Sequence, residues 1–111
     1  MNKYHPNLTL AKWLAQPKAT QILNIAAEFS RSKHWLDKND FGEVQNCLNR
    51  AFELIDLTIA DCKWRRGLRE LLRFRELLAD FYARADKNLG YFKKLFRVWL
   101  NFDAQSAKVK I

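Results

Sequence analysis

EVQNCLNRAFELIDLTIADCKWRRGLRELLRFRELLADFYARA, residues 43–85, decides the fold. At about 100° per residue, its first half gathers Val44, Cys47, Leu48, Ala51, Phe52, Leu54, Ile55, Thr58, Ile59 and Cys62 into one arc of roughly 160°. Asn46, Asn49, Glu53, Asp56 and Ala60 take the other side. A second stripe runs through Leu68, Leu71, Leu72, Phe74, Leu78, Phe81, Tyr82 and Ala85. On one straight helix the two stripes would be offset by roughly 170°, and that helix would need two partners. A turn near Lys63–Gly67 is the simpler solution. It makes the segments an antiparallel pair, with helices expected over residues 41–62 and 66–87.

Upstream, Asp40 and Glu43 have the spacing of a capping box that opens the first of these helices. The polar run SRSKHWLDKND, residues 30–40, reads as a loop. Before it, Ala19, Ile22, Ile25, Ala26 and Phe29 form the inner stripe of a helix expected over 18–33, and Leu23 lies off that stripe toward a second surface. At the N-terminus, an arm over residues 1–8 leads to Thr9, which caps a short helix containing Leu10, Trp13 and Leu14 before the break at Pro17. Trp13 either covers the end of the bundle or meets a neighbouring subunit. Downstream, DKNLG at residues 86–90 is a connector, and the last helix, expected over 89–103, buries Phe92, Leu95, Phe96, Trp99 and Leu100. The tail, residues 104–111, shows no pattern and is expected to be mobile. The expected whole is one all-α domain over residues 1–111: an antiparallel four-helix bundle with a short additional N-terminal helix.

Composition agrees with that architecture. A chain of 111 residues that is 49% hydrophobic, with 8 Phe and 4 Trp, is not disordered, and 3 Gly and 2 Pro favour long helices over a turn-rich sheet. No apolar run approaches a membrane span, and no basic-then-apolar leader is present, so a cytoplasmic protein without membrane contact is expected. Cys47 and Cys62 read as reduced core residues. His5 and His34 stand apart from any cysteine or carboxylate at ligand spacing, and no phosphate loop, dinucleotide fingerprint or nucleophile elbow occurs. Glu53 and Asp56, three apart, read as a solvated face rather than an acid–base pair. No cofactor and no enzymatic activity are expected.

Charge carries the functional signal. The net +8 divides into +3 over residues 1–40, −3 over 41–62, +4 over 63–79 and +4 over 80–111. In KWRRGLRELLRFR, extended to Arg84, the residues Arg65, Arg66, Arg69, Arg73 and Arg84 fall within roughly 100° of one helix. Guanidinium forks on one face suit a run of phosphates, and Lys93, Lys94 and Arg97 would widen the patch. Against this, Glu70, Glu76 and Asp80 stand at pairing distance from Arg66, Arg73 and Arg84. Arg75 points into the apolar arc and must snorkel, cross an interface or meet a carboxylate such as Glu53 or Asp56. Nothing here is placed to read base edges.

NIAAEFSR (Asn24–Arg31) followed by CLNRAFELIDLTIA (Cys47–Ala60) resembles the four-helix-bundle proteins encoded in 23S ribosomal RNA intervening sequences. It also resembles their relatives, the accessory variability proteins of diversity-generating retroelements. Asn24, Ile25 and Ala26 match the start of the Asn-Ile-Ala-Glu-Gly element, and Leu48, Ala51, Asp56 and Leu57 follow the second. Ala27 and Glu28 replace its Glu-Gly, and its later Gly-Ser pair has no counterpart. The similarity spans about a third of the chain. It implies a barrel-like homo-oligomer, a pentamer in the retroelement proteins, that associates with nucleic acid and a reverse transcriptase.

Two functions stand open on the sequence. One is a non-enzymatic nucleic-acid-binding accessory protein, RNA or DNA, working through the basic helical face. The other is an assembly adaptor that binds protein, with Trp13, Leu23, Leu57, Arg75 and Leu77 as interface residues. The off-stripe Leu23, Leu57 and Leu77 also lead us to expect self-association.

Overall fold

The computed structural model describes residues 3–111, so the expected arm begins, at residues 1–2, outside the described residues. Five α-helices follow in order: α1 (Leu10–Leu14), α2 (Lys18–Asp37), α3 (Phe41–Ile59), α4 (Leu68–Ala83) and α5 (Leu89–Leu100). A 3-10 helix, Cys62–Gly67, joins α3 to α4, and a 3-10 turn at Ser106–Lys108 follows α5. α2 packs on α3 and α5, and α4 packs on the same two helices from the opposite corner. The result is the expected antiparallel four-helix bundle, with α1 laid against α3.

The stripes become the core. Ile22, Ile25, Ala26 and Phe29 of α2 are buried with Val44, Leu48, Ala51, Leu54 and Ile55 of α3. Phe29 is the hub, its ring centroid 5.8–6.0 Å from those of Phe74, Phe92, Phe96 and Trp99. Aromatic edges meeting faces in this way add to the area they bury. The indole Nε1–H of Trp99 donates to Ile22 O at 3.0 Å, so the ring has no orphan donor.

Capping sets the helix starts. Thr9, Asp40 and Asn88 accept backbone N–H groups from Lys12, Glu43 and Tyr91, as short polar side chains do at N-caps. Only the Asp40 half of the capping box forms, since the Asp40 N–H donates to Trp35 O rather than to Glu43.

Several boundaries differ from the expectation. The run at residues 30–40 is not a loop: α2 continues to Asp37 because Ser32 and Leu36 extend the Phe29 face inward and are buried. The helix stops where Asn39 turns left-handed at φ 58°, with Asn39 N–H on Leu36 O (3.1 Å) and Asp40 N–H on Trp35 O (2.9 Å). Those two bonds are the Schellman arrangement, and Asn tolerates the conformation better than most residues. α4 ends at Ala83, because Arg84 is extended. Cys62 is exposed at the start of the 3-10 helix, while Cys47 is buried and its thiol pushed up by that burial. Leu72, placed on the inner stripe by spacing, is 44% exposed. The tail is docked: Ser106 is buried with its Oγ donating to Leu100 O at 2.8 Å, and Arg97 donates to Ala107 O and Val109 O.

Candidate nucleic-acid interface

The basic stretch begins on a turn held from inside. Gln21, fully buried on α2, donates its amide Nε2–H to Asp61 Oδ2 and to Trp13 O, each at 2.9 Å. Its Oε1 accepts the Trp64 Nε1–H at 2.7 Å. Trp13 Nε1–H donates to Thr58 Oγ1, which itself donates to Leu54 O. Asp61 caps the turn, accepting the Lys63 N–H and pairing with the Lys63 ammonium. Burial raises the Asp61 carboxyl, but the bonds from Gln21 and Lys63 outweigh it and leave the carboxyl below its ordinary value. Trp64 is thereby drawn inside, and Arg65 and Arg66 are left exposed beside it. Trp13 is buried within its own chain, so it covers the bundle end and offers no surface to a neighbour.

From Leu68 the helix turns Leu71, Phe74, Leu78 and Phe81 inward, and Arg69 and Arg73 stand exposed one turn apart. The nine arginines of the chain then divide sharply. Arg31 and Arg50 pair with Glu28, Arg75 with Asp56 and Arg84 with Asp80, while Arg97 is held by the tail carbonyls. Arg65, Arg66, Arg69 and Arg73 have no hydrogen bond or ion pair among the described residues. The pairings of Arg66 with Glu70 and of Arg73 with Glu76 that the spacing offered are not made; only Arg84–Asp80 is.

The other named residues scatter. Arg65 and Arg66 belong to the 3-10 helix and Arg84 to the extended segment after α4, so the five arginines do not share one α-helical face. Arg84 also lies 5.5 Å above the Tyr91 ring. Lys93 faces α2, lining a shallow groove with Ser30, Lys33, His34 and Asp37, and Lys94 is exposed. Arg75 meets the carboxylate named for it, Nε to Asp56 Oδ1 at 2.6 Å, with its guanidinium 5.2 Å over the Phe52 ring. Leu23 and Leu77 are exposed on opposite corners of the bundle, and Leu57 is half-buried against the core.

No protein-family model, curated protein or solved structure matches this chain. What its geometry offers is therefore read from its own side chains. Among the described residues, no group of three or more His, Cys, Asp or Glu is placed to hold a metal ion, and no helix is long and apolar enough to cross a membrane. Glu53 and Asp56 are each committed: Glu53 to the arm, Asp56 to Arg75.

One feature of this surface was not read from the sequence. Glu70, Arg73, Phe74 and Leu77 of α4 face Val98 of α5 and the following Asn101 and Phe102 across a groove of about 330 Å³. Its signal was Val98, an apolar residue 47% exposed on the outer side of α5, matched by the off-stripe Leu77.

Proposed function

We propose that this protein is a non-enzymatic accessory protein that binds the phosphate backbone of nucleic acid along Arg65, Arg66, Arg69 and Arg73. The observation that carries this reading is the division of the arginines: the four without a partner among the described residues are successive arginines in the sequence and all exposed. Arg69 and Arg73 are about 6 Å apart along the helix axis, and each presents a fork suited to phosphate oxygens. Arg97 is turned toward the tail, where two of its N–H groups donate to Ala107 O and Val109 O. Lys94 is exposed on α5, and Lys93 and Arg84 lie away from the face.

In a self-assembling adaptor, the acidic α3 of a neighbouring copy would receive those arginines. There Glu53 holds the arm, Asp56 holds Arg75 and, just beyond the helix, Asp61 holds Lys63. Glu43 is then the one acidic side chain of α3 without an ion pair among the described residues, so α3 of a second copy offers those arginines little, which favours an external anion. The resemblance to the retroelement accessory proteins adds a homo-oligomeric assembly and a reverse transcriptase partner to the proposal.

Fluorescence anisotropy with labelled single-stranded and duplex RNA and DNA, across a salt series, tests this. The double substitution Arg69→Gln and Arg73→Gln should weaken binding about equally for unrelated sequences and reduce the salt slope by up to ~2. Absence of binding to every probe at low salt overturns the reading.

A further inference from the structure

We propose that the α4–α5 groove takes an unstacked base of a single-stranded nucleic acid whose backbone lies on the arginine face. This rests on the phosphate-binding reading and adds the strandedness of the ligand. Arg73 is the link: it lines the groove with Phe74, Leu77, Val98 and Phe102, and it also lines the neighbouring open surface with Leu68, Arg69, Leu72 and Glu76. A strand held at Arg69 and Arg73 therefore passes the groove mouth.

The chemistry of the groove fits a base better than a phosphate or a protein helix. Its floor and walls are apolar, with Phe102 half-buried and Leu77 and Val98 exposed at 39% and 47%. Glu70 on the rim repels a phosphate, so the anionic backbone stays beside Arg73 while the neutral base turns inward. The Glu70 carboxylate and the Asn101 carboxamide supply an acceptor and a mixed donor–acceptor for a base edge. A volume of about 330 Å³ lies at the small end of ligand clefts, about 300–1,000 Å³. The groove's seven lining residues are far fewer than the roughly 20–30 a side of a stable protein interface. Duplex DNA or RNA, with its bases stacked and paired, cannot enter without paying to unstack one. Stacking on side chains is open to any base, so strand preference arises without sequence preference.

The test compares three labelled probes: an oligodeoxycytidine, an abasic oligonucleotide of the same length and a duplex. Wild type should bind the oligodeoxycytidine about fivefold or more tighter than the abasic strand. Leu77→Gln with Val98→Gln changes no charge and alters only exposed positions. It should abolish that difference and leave abasic and duplex affinities unchanged, whereas Arg69→Gln with Arg73→Gln should weaken all three. Equal binding of oligodeoxycytidine and abasic strand by wild type overturns the base site and leaves the phosphate reading intact. So does a Leu77→Gln, Val98→Gln protein that loses oligomer mass but keeps the difference, because the groove would then hold a second copy. Binding to no probe overturns both readings.

Discussion

Gln21 shows how much one side chain can hold. Three buried partners meet on it: the Trp64 indole, the Asp61 carboxylate and the Trp13 carbonyl. Gln21→Leu keeps the bulk and strands the Trp64 indole N–H, while Asp61 retains Lys63 and Trp13 O retains the Gln16 N–H. We expect a loss of about 1–3 kcal/mol in urea unfolding, the cost of an abandoned buried group. A loss below 1 kcal/mol would mean that water replaces the amide. Asn39 is a second single-residue device, fixed by backbone rather than partners. At φ 58°, Asn39→Ala should cost about 1 kcal/mol, whereas Asn39→Gly should be neutral or slightly stabilising. Equal effects of the two substitutions would show that the left-handed cap contributes nothing.

Among the elements, the N-terminal arm packs through Leu8 on the core and is latched by the Glu53 carboxylate. Glu53 accepts the N–H groups of Tyr4 (2.8 Å) and His5 (2.9 Å), and His5 Nδ1 lies 2.9 Å from its Oε1. Burial raises the Glu53 carboxyl, yet these bonds outweigh it and the net shift is downward, the same direction as at Asp61. Both groups therefore stabilise the fold fully above the ordinary carboxylate range, about pH 4–4.5, and that contribution drains as pH falls through their lowered values. Glu53→Gln should cost about 1–2 kcal/mol at neutral pH, speed hydrogen exchange at Tyr4 and His5, and cost nothing once Glu53 is protonated. A pH-independent difference would remove the latch. No sequence pattern announced this latch, because residues 49 and 48 apart in sequence carry no periodic signal. What was legible was what repeats: the stripes of α3, α4 and α5, the caps at Thr9 and Asp40, and the reversal before Leu68. The continuation of α2 was hidden because Ser32, a polar residue, fills an inward position, and charged neighbours surround Leu36. The tail was hidden because its bonds are to backbone carbonyls.

For the molecule as a whole, the net charge of +8 is concentrated by what the fold neutralises. Glu28, Asp56 and Asp61 are taken by Arg31, Arg50, Arg75 and Lys63, and the four unpaired arginines face solvent with Glu70 and Glu76 as their acidic neighbours on α4. Residues 63–79 hold six basic and two acidic groups, so the helix keeps an excess of like charge on this face that an added anion would offset. The quadruple substitution Arg65→Gln, Arg66→Gln, Arg69→Gln and Arg73→Gln should therefore leave stability within about 0.5 kcal/mol or raise it slightly at low salt. The same substitutions should remove most nucleic-acid affinity. Were these arginines docked on the protein itself or on a second copy, their loss would instead lower the urea midpoint or the mass in sedimentation equilibrium. Low ionic strength is the decisive condition, because relieved repulsion is largest there and screened by about 0.15 M salt beyond ~8 Å. A urea midpoint that rises at low salt and returns to the wild-type value at moderate salt would identify self-repulsion as the term removed. A midpoint that falls at both would assign the four arginines to the fold.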